Sequence, residues 1–128
     1  MLSPAENERL TRVGERFLAH IMTDWAVRMF QLVTSEAHRT PAVARMFYEA
    51  GPAIGIARLT EMLEEARAAG EITAESCETA AQRFLSLCRS HQQFRYSLNL
   101  IPRPSPAEIK AIIAEAVRTF MARYGAPA

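Results

Sequence analysis

Residues 44–52 read A-R-M-F-Y-E-A-G-P, a stretch that closes one short amphipathic helix and opens a longer one with no loop between them. Met46, Phe47 and Ala50 fall on one helical face with Val43, the spacing expected of a stripe that packs against a neighbour. Gly51 is expected to supply the positive φ that ends a helix, and Pro52 is preset for the first turn of the next. The segment therefore reads as a tight corner between two helices.

Working outward, Ser3-Pro4-Ala5-Glu6 combines an N-cap serine, a proline at the first helical position and a glutamate three residues on from the serine. Leu10, Val13, Phe17, Leu18 and Ile21 then repeat at helical spacing, giving a first helix from about Pro4 to Met22. Ala26, Met29, Phe30, Val33 and Ala37 form the stripe of a second helix, capped by Thr23 or Asp24 and ending near His38 and Arg39. Thr40-Pro41 starts the short third helix. The fourth begins at Pro52, carries Ile56, Leu59, Leu63 and Ala66 on one face, and stops at Gly70.

Thr73 is read as opening the longest helix, in which Ala80, Ala81, Phe84, Cys88, His91, Arg95 and Leu98 line one face while Leu87, Phe94 and Ile101 widen the apolar arc. At some 25 residues it would span nearly 40 Å, more than a domain of this size needs for its own core, so an interface role is expected. Pro102-Arg103-Pro104 breaks it. Ser105-Pro106-Ala107-Glu108 starts a sixth helix bearing Ile109, Ile112, Ile113, Ala116, Val117, Phe120 and Tyr124, and Gly125 ends it. No stretch alternates apolar and polar residues long enough to make a strand, so the chain reads as all-α with six helices.

At 128 residues the chain reads as one domain, able to bury roughly two thirds of the surface its unfolded form exposes. Apolar residues are 49% and charged residues 23%, with a net charge of +1, so nothing marks it as disordered or as a polyanion binder. Fourteen arginines and the single Lys110 are spread among thirteen glutamates, the pattern of solvated helix faces. Cys77 and Cys88 share a face of one helix about 16 Å apart, too far to pair. Two thiols without C-x-x-C spacing fit a reducing compartment, and no signal peptide or membrane-length apolar run is present, so a cytoplasmic address is expected.

Enzymatic signatures are missing. His20, His38 and His91 lie in three different segments, Asp24 is the only aspartate, and no H-E-x-x-H, G-x-S-x-G or glycine-rich phosphate loop occurs. Cys88 and His91, three apart, are the best pair for polar chemistry, yet nothing nearby in sequence supplies a third metal ligand. The chain is read as having no catalytic residues, no bound metal and no cofactor.

The corner at residues 44–52 resembles the ligand-binding region of tetracycline-repressor-type (TetR family) transcriptional regulators. The segment L-V-T-S-E-A-H-R-T-P from Leu32 to Pro41, the arginine-rich first helix, the E-A-R-A-A-G-E turn and the final long helix pair extend the resemblance over nearly the whole chain. It implies residues 1–128 as an effector-binding and dimerisation domain, without the N-terminal helix-turn-helix that such regulators carry. Two origins fit: an expressed fragment beginning at an introduced Met1, or a natural stand-alone version. DNA would then be a partner only through the absent N-terminal domain, and the parent protein is expected to be a repressor.

In such regulators the last two helices of each subunit form a four-helix dimer interface. Leu87, Phe94, Leu98, Ile109, Ile113, Ala116 and Phe120 are assigned to it, as apolar positions the monomer core does not obviously need. A small apolar or aromatic effector is assigned to Phe17, Met29, Val33, Phe47, Leu59, Phe84, Cys88 and His91, which lie on inward stripes, with Trp25 as a secondary candidate. Methionines and aromatics suit an adaptable pocket, and His91 would orient one polar group. The implied mechanism is that ligand favours one arrangement of the first and fourth helices, and that the first helix passes the shift to the DNA-reading part. The competing readings are a helical dimerisation module without an effector and a small helical enzyme.

Overall fold

The computed structural model describes residues 4–127. Six helices follow one another: α1 (Pro4–Ile21), α2 (Asp24–Glu36), α3 (Pro41–Ala50), α4 (Pro52–Ala68), α5 (Cys77–Ser97) and α6 (Pro106–Tyr124). The all-α reading holds. The cap expected at Ser3 lies outside the described residues.

Local chemistry sets most of the boundaries. The Thr23 hydroxyl accepts from the Ala26 amide to start α2, and Ser105 and Glu108 form a reciprocal capping box at α6. Gly70, at φ +76°, ends α4 in a Schellman turn: its amide donates to the Arg67 carbonyl and the Glu71 amide to that of Ala66. The α3–α4 corner has Gly51 as its only linking residue and Pro52 in the first turn, as read. Gly51, however, has φ −128° and ψ −81°, so the corner turns without the expected left-handed residue.

Two further expectations are corrected. α5 begins at Cys77, capped by the Ser76 hydroxyl, and not at Thr73. The Thr73 amide is spent on the Tyr124 carbonyl, and the Ala126 amide on the Glu71 carbonyl, so residues 71–73 pair with the chain end beyond α6 around an antiparallel bridge between Ile72 and Gly125. Nor is α5 one continuous rod. Ser90 sits at φ 59° and ψ 170° and divides it, a conformation that side-chain-bearing residues rarely adopt.

The core is built by α1, α4, α5 and α6. α5 packs on α4, α6 and α1, and α1 also packs along α6. Leu10 and Leu18 from α1, Met22 just after it, Leu59 and Leu63 from α4, Phe84 and Cys88 from α5, and Ile113 and Phe120 from α6 are all buried in one cluster. Phe84 meets Phe120 edge to face at 5.3 Å and Phe120 lies 4.8 Å from Tyr124, contacts worth about 1 kcal/mol each beyond the area they bury. The Tyr124 hydroxyl accepts from Arg83 at 2.7 Å, which satisfies the polar tip of that aromatic row.

α2 and α3 stand apart from this core. α2 touches α3 and, slightly, α1, while α3 rests on α4. α3 buries no residue, and the stripe Val43, Met46, Ala50 expected to pack is exposed, Met46 by 68%, with Phe47 alone half-buried. The physical reason is lateral: among the described residues α3 packs mainly on α2 and α4, which leaves most of its apolar face uncovered.

Candidate functional site

The eight residues expected around an effector fall into three groups. Leu59, Phe84 and Cys88 are in the central cluster and wholly or nearly wholly enclosed, with Phe17 packed against it. Val33 is buried but outside that cluster, and Met29 and Phe47 are half-buried on α2 and α3. His91 is exposed, its ring 5.8 Å from that of Phe94. The helical spacing that put His91 in line with Phe84 and Cys88 is interrupted at Ser90, so the residues after the break turn away from the row before it. Trp25 is 62% exposed, beside His20 at 6.5 Å.

Cys88 and His91 thus do not form a joint polar site. Burial pushes the Cys88 thiol up to about 12, which keeps it protonated and unreactive. Burial, then a hydrogen bond and repulsion from Glu64, also raises Cys77.

One polar side chain at this junction escaped the sequence reading. The Arg89 guanidinium carbon stands 5.9 Å from the centre of the Phe17 ring, on the last residue before the break. Arg89 is an exposed residue, and the partial desolvation of its guanidinium lowers its pKa from the ordinary arginine value. Two buried polar atoms follow it without partners among the described residues, the Ser90 hydroxyl oxygen and Arg95 Nε. Nothing in composition would have marked Arg89, one arginine among many on partly charged helix faces.

The seven residues expected between subunits also divide. Ile113 and Phe120 are wholly inside the monomer, and Ile109 and Ala116 are nearly so, which corrects their description as positions the single chain does not need. Leu87 is half-buried, while Phe94 and Leu98 are exposed. On the outer side of α5 and α6 runs a groove of about 260 Å³ lined by Leu87, Ser90, Ile112, Glu115, Ala116 and Thr119. A second open cleft, of about 430 Å³, lies between α1 and the start of α6 along Glu15, Ala19, Arg103, Pro104, Pro106, Ile109 and Lys110. Neither is lined by any residue expected to hold the effector.

Residues 8–126 match the family model described as AefR-like transcriptional repressor, C-terminal domain. The chain belongs to this TetR-type repressor family. A TetR-family regulator from Mesorhizobium loti shares the fold with a TM-score of 0.85 at 22% identity, over 93% of this chain and 59% of that one. One from Agrobacterium tumefaciens gives 0.82 at 22% identity, over 95% and 58%. The flavonoid-responsive regulator FrrA gives 0.78 at 29% identity, over 97% and 71%. The AefR-like chain therefore spans less than two thirds of the Mesorhizobium and Agrobacterium proteins. No curated protein matches it by sequence. TetR-family regulators act as dimers that bind DNA and small effectors, and the AefR-like relatives are transcriptional regulators and not enzymes. Among the described residues, no helix is long and apolar enough to cross a membrane.

Proposed function

We propose that this domain is the effector-binding and dimerisation part of a TetR-type repressor, non-enzymatic and cytoplasmic, and that its effector is a flat aromatic molecule. The observation that carries the effector reading is where apolar surface is left uncovered. Trp25, Phe30, Leu32, Val43, Met46, Tyr48 and Ile54, most of the large exposed hydrophobics, all lie on α2, α3 and the start of α4. That concentration is far from the scatter expected of an ordinary surface. The α2–α3 pair meets the core mainly through α4, so an apolar molecule held against its uncovered face would gain contacts that the protein itself does not supply there. FrrA, responsive to flavonoids, supports an aromatic effector class.

Dimerisation is placed on the outer groove of α5 and α6. It is open and partly apolar, and the exposed Phe94 and Leu98 lie on the same helix. A contact there would be isologous, so each substitution acts twice. In the parent repressor, DNA would be reached through a separate reading domain, with α1 passing on the ligand-dependent shift.

A second reading, a dimerising module without an effector, draws on the full enclosure of Phe84 and Cys88 by protein atoms. The two readings separate in a melting experiment with naringenin as a flavonoid probe. The sensor reading expects a rise in melting temperature with ligand, since an excess of a hundred times Kd stabilises by about 2.7 kcal/mol. An unchanged melting temperature at saturating probe, in a chain that sedimentation shows to be dimeric, would favour the module.

A further inference from the structure

We infer that α5 is a two-position element hinged at Ser90: residues 91–98 exchange between the bent position of this structure and a minor one in line with residues 77–89. The inference concerns a single subunit and stands apart from the effector reading.

Three observations support it together. First, the sequence of α5 and its backbone disagree. Cys77–Ser97 contains no glycine or proline, yet Ser90 takes φ 59° and ψ 170°, at the edge of a region that almost only glycine enters. A local preference for helix overruled by packing is the condition under which two arrangements lie close in free energy. Second, the bend leaves two buried polar atoms without partners among the described residues, Ser90 Oγ and Arg95 Nε. In a continuous helix the Ser90 hydroxyl would donate to the carbonyl four residues back, as Thr34 does to Phe30 at 2.8 Å and Thr60 to Ile56 at 2.7 Å. Third, the residues past the bend are poorly covered. Apart from the patch on α2, α3 and the start of α4, the exposed large hydrophobics among the described residues are Phe94, Leu98 and Leu100, all beyond Ser90.

The segment is bounded so that it moves as a unit. Ser90 and Asn99 are the non-glycine residues at positive φ among the described residues, and the chain closes at Asn99 with its amide on the Tyr96 carbonyl and the Leu100 amide on that of Arg95. What holds the bent position is Tyr96, packed against the central cluster, and the buried Gln93. Straightening would give up those contacts, end the strain at Ser90 and return His91 to the face of Phe84 and Cys88 that its helical spacing marks. Because Leu87 and Ser90 line the outer groove of α5 and α6, the two positions would give that groove different walls, and a second copy seated there would favour one of them.

The test is amide nitrogen relaxation dispersion on the unaltered chain and on two variants that push in opposite directions. Ser90→Gly removes the cost of the bend and weakens a continuous helix, whereas Ser90→Thr keeps the hydroxyl and adds a β-branch that the backbone of the bend disfavours. In the unaltered chain the amides of residues 91–98 should show exchange with a minor state of about 1 to 10%, while those of residues 78–87 stay flat. Ser90→Gly should lower the minor state roughly fivefold or more, and Ser90→Thr should raise it by a similar factor. Flat profiles for residues 91–98 in the unaltered chain would overturn the hinge, and so would exchange that the two variants change in the same direction or leave as it was. Should Ser90→Thr not fold, judged by helicity and melting, Ser90→Gly alone carries the test. Exchange that survives that substitution undiminished would overturn the inference.

Discussion

Gly14 marks a close approach of α1 to α5 and α6. A Cβ there would stand 2.9 Å from Ile113 Cγ2 and 3.0 Å from Cys88 Sγ, inside van der Waals contact with atoms that are themselves wholly buried. In an open helix Gly→Ala gains up to about 1 kcal/mol. Here the clash reverses the sign, and Gly14→Ala is expected to destabilise by about 1 to 3 kcal/mol in urea denaturation. The same crowding explains the thiol. A Cys88 pKa near 12, against an unfolded value near 9.0, means the native state holds a proton that the unfolded chain releases between those pH values. Stability from this group is therefore full below about pH 9 and declines as pH rises toward 12. Neither Cys77 nor Cys88 should react with Ellman's reagent at pH 8 until denaturant is added; prompt reaction of Cys88 in the native chain would contradict its placement.

At the scale of elements, the break in α5 and the start of α6 show what short-range sequence signals do and do not carry. The capping box of Ser105 and Glu108 is readable because all its atoms lie within four residues, and the Ser105 amide and hydroxyl hold the Glu108 carboxyl below its usual range. Ser105→Ala should cost about 1 kcal/mol at neutral pH in thermal melts. Because the Glu108 pKa is depressed on folding, its share of that effect is present above the unfolded pKa and fades as pH falls through the folded one. Ser90 carried no such signal: no glycine or proline marks the break, and only tertiary packing puts a serine at φ 59°. Ser90→Gly should raise stability by roughly 1 kcal/mol by relieving that strain, whereas Ser90→Ala should not; the pair of melts decides whether the break is held under strain. The start of α5 was misplaced because Thr73 also resembles a cap, and the bridge that takes its amide comes from the far end of the chain. Periodicity likewise found the apolar arc of α6 but could not say which half serves the subunit's own core. Ile113 and Phe120 do, and Ile112 and Thr119 are left along the groove.

The whole molecule is a four-helix core with a two-helix flap whose apolar residues remain largely uncovered. Core and flap were legible as helices but not as separate layers, since the α2 and α3 stripes look like any packed face until their neighbours are counted. If the outer groove of α5 and α6 joins two subunits, Thr119→Glu places like charges beside Glu115 and across the two-fold axis while leaving the buried core untouched. Sedimentation velocity should then show a monomer with native helicity, and an undisturbed dimer would place the interface elsewhere. The most direct test of the sensor reading is native mass spectrometry of the unaltered chain, alone and with 1-anilinonaphthalene-8-sulfonate. The expected spectrum is a dimer that gains one dye per subunit, and a monomer that takes up none would contradict the account.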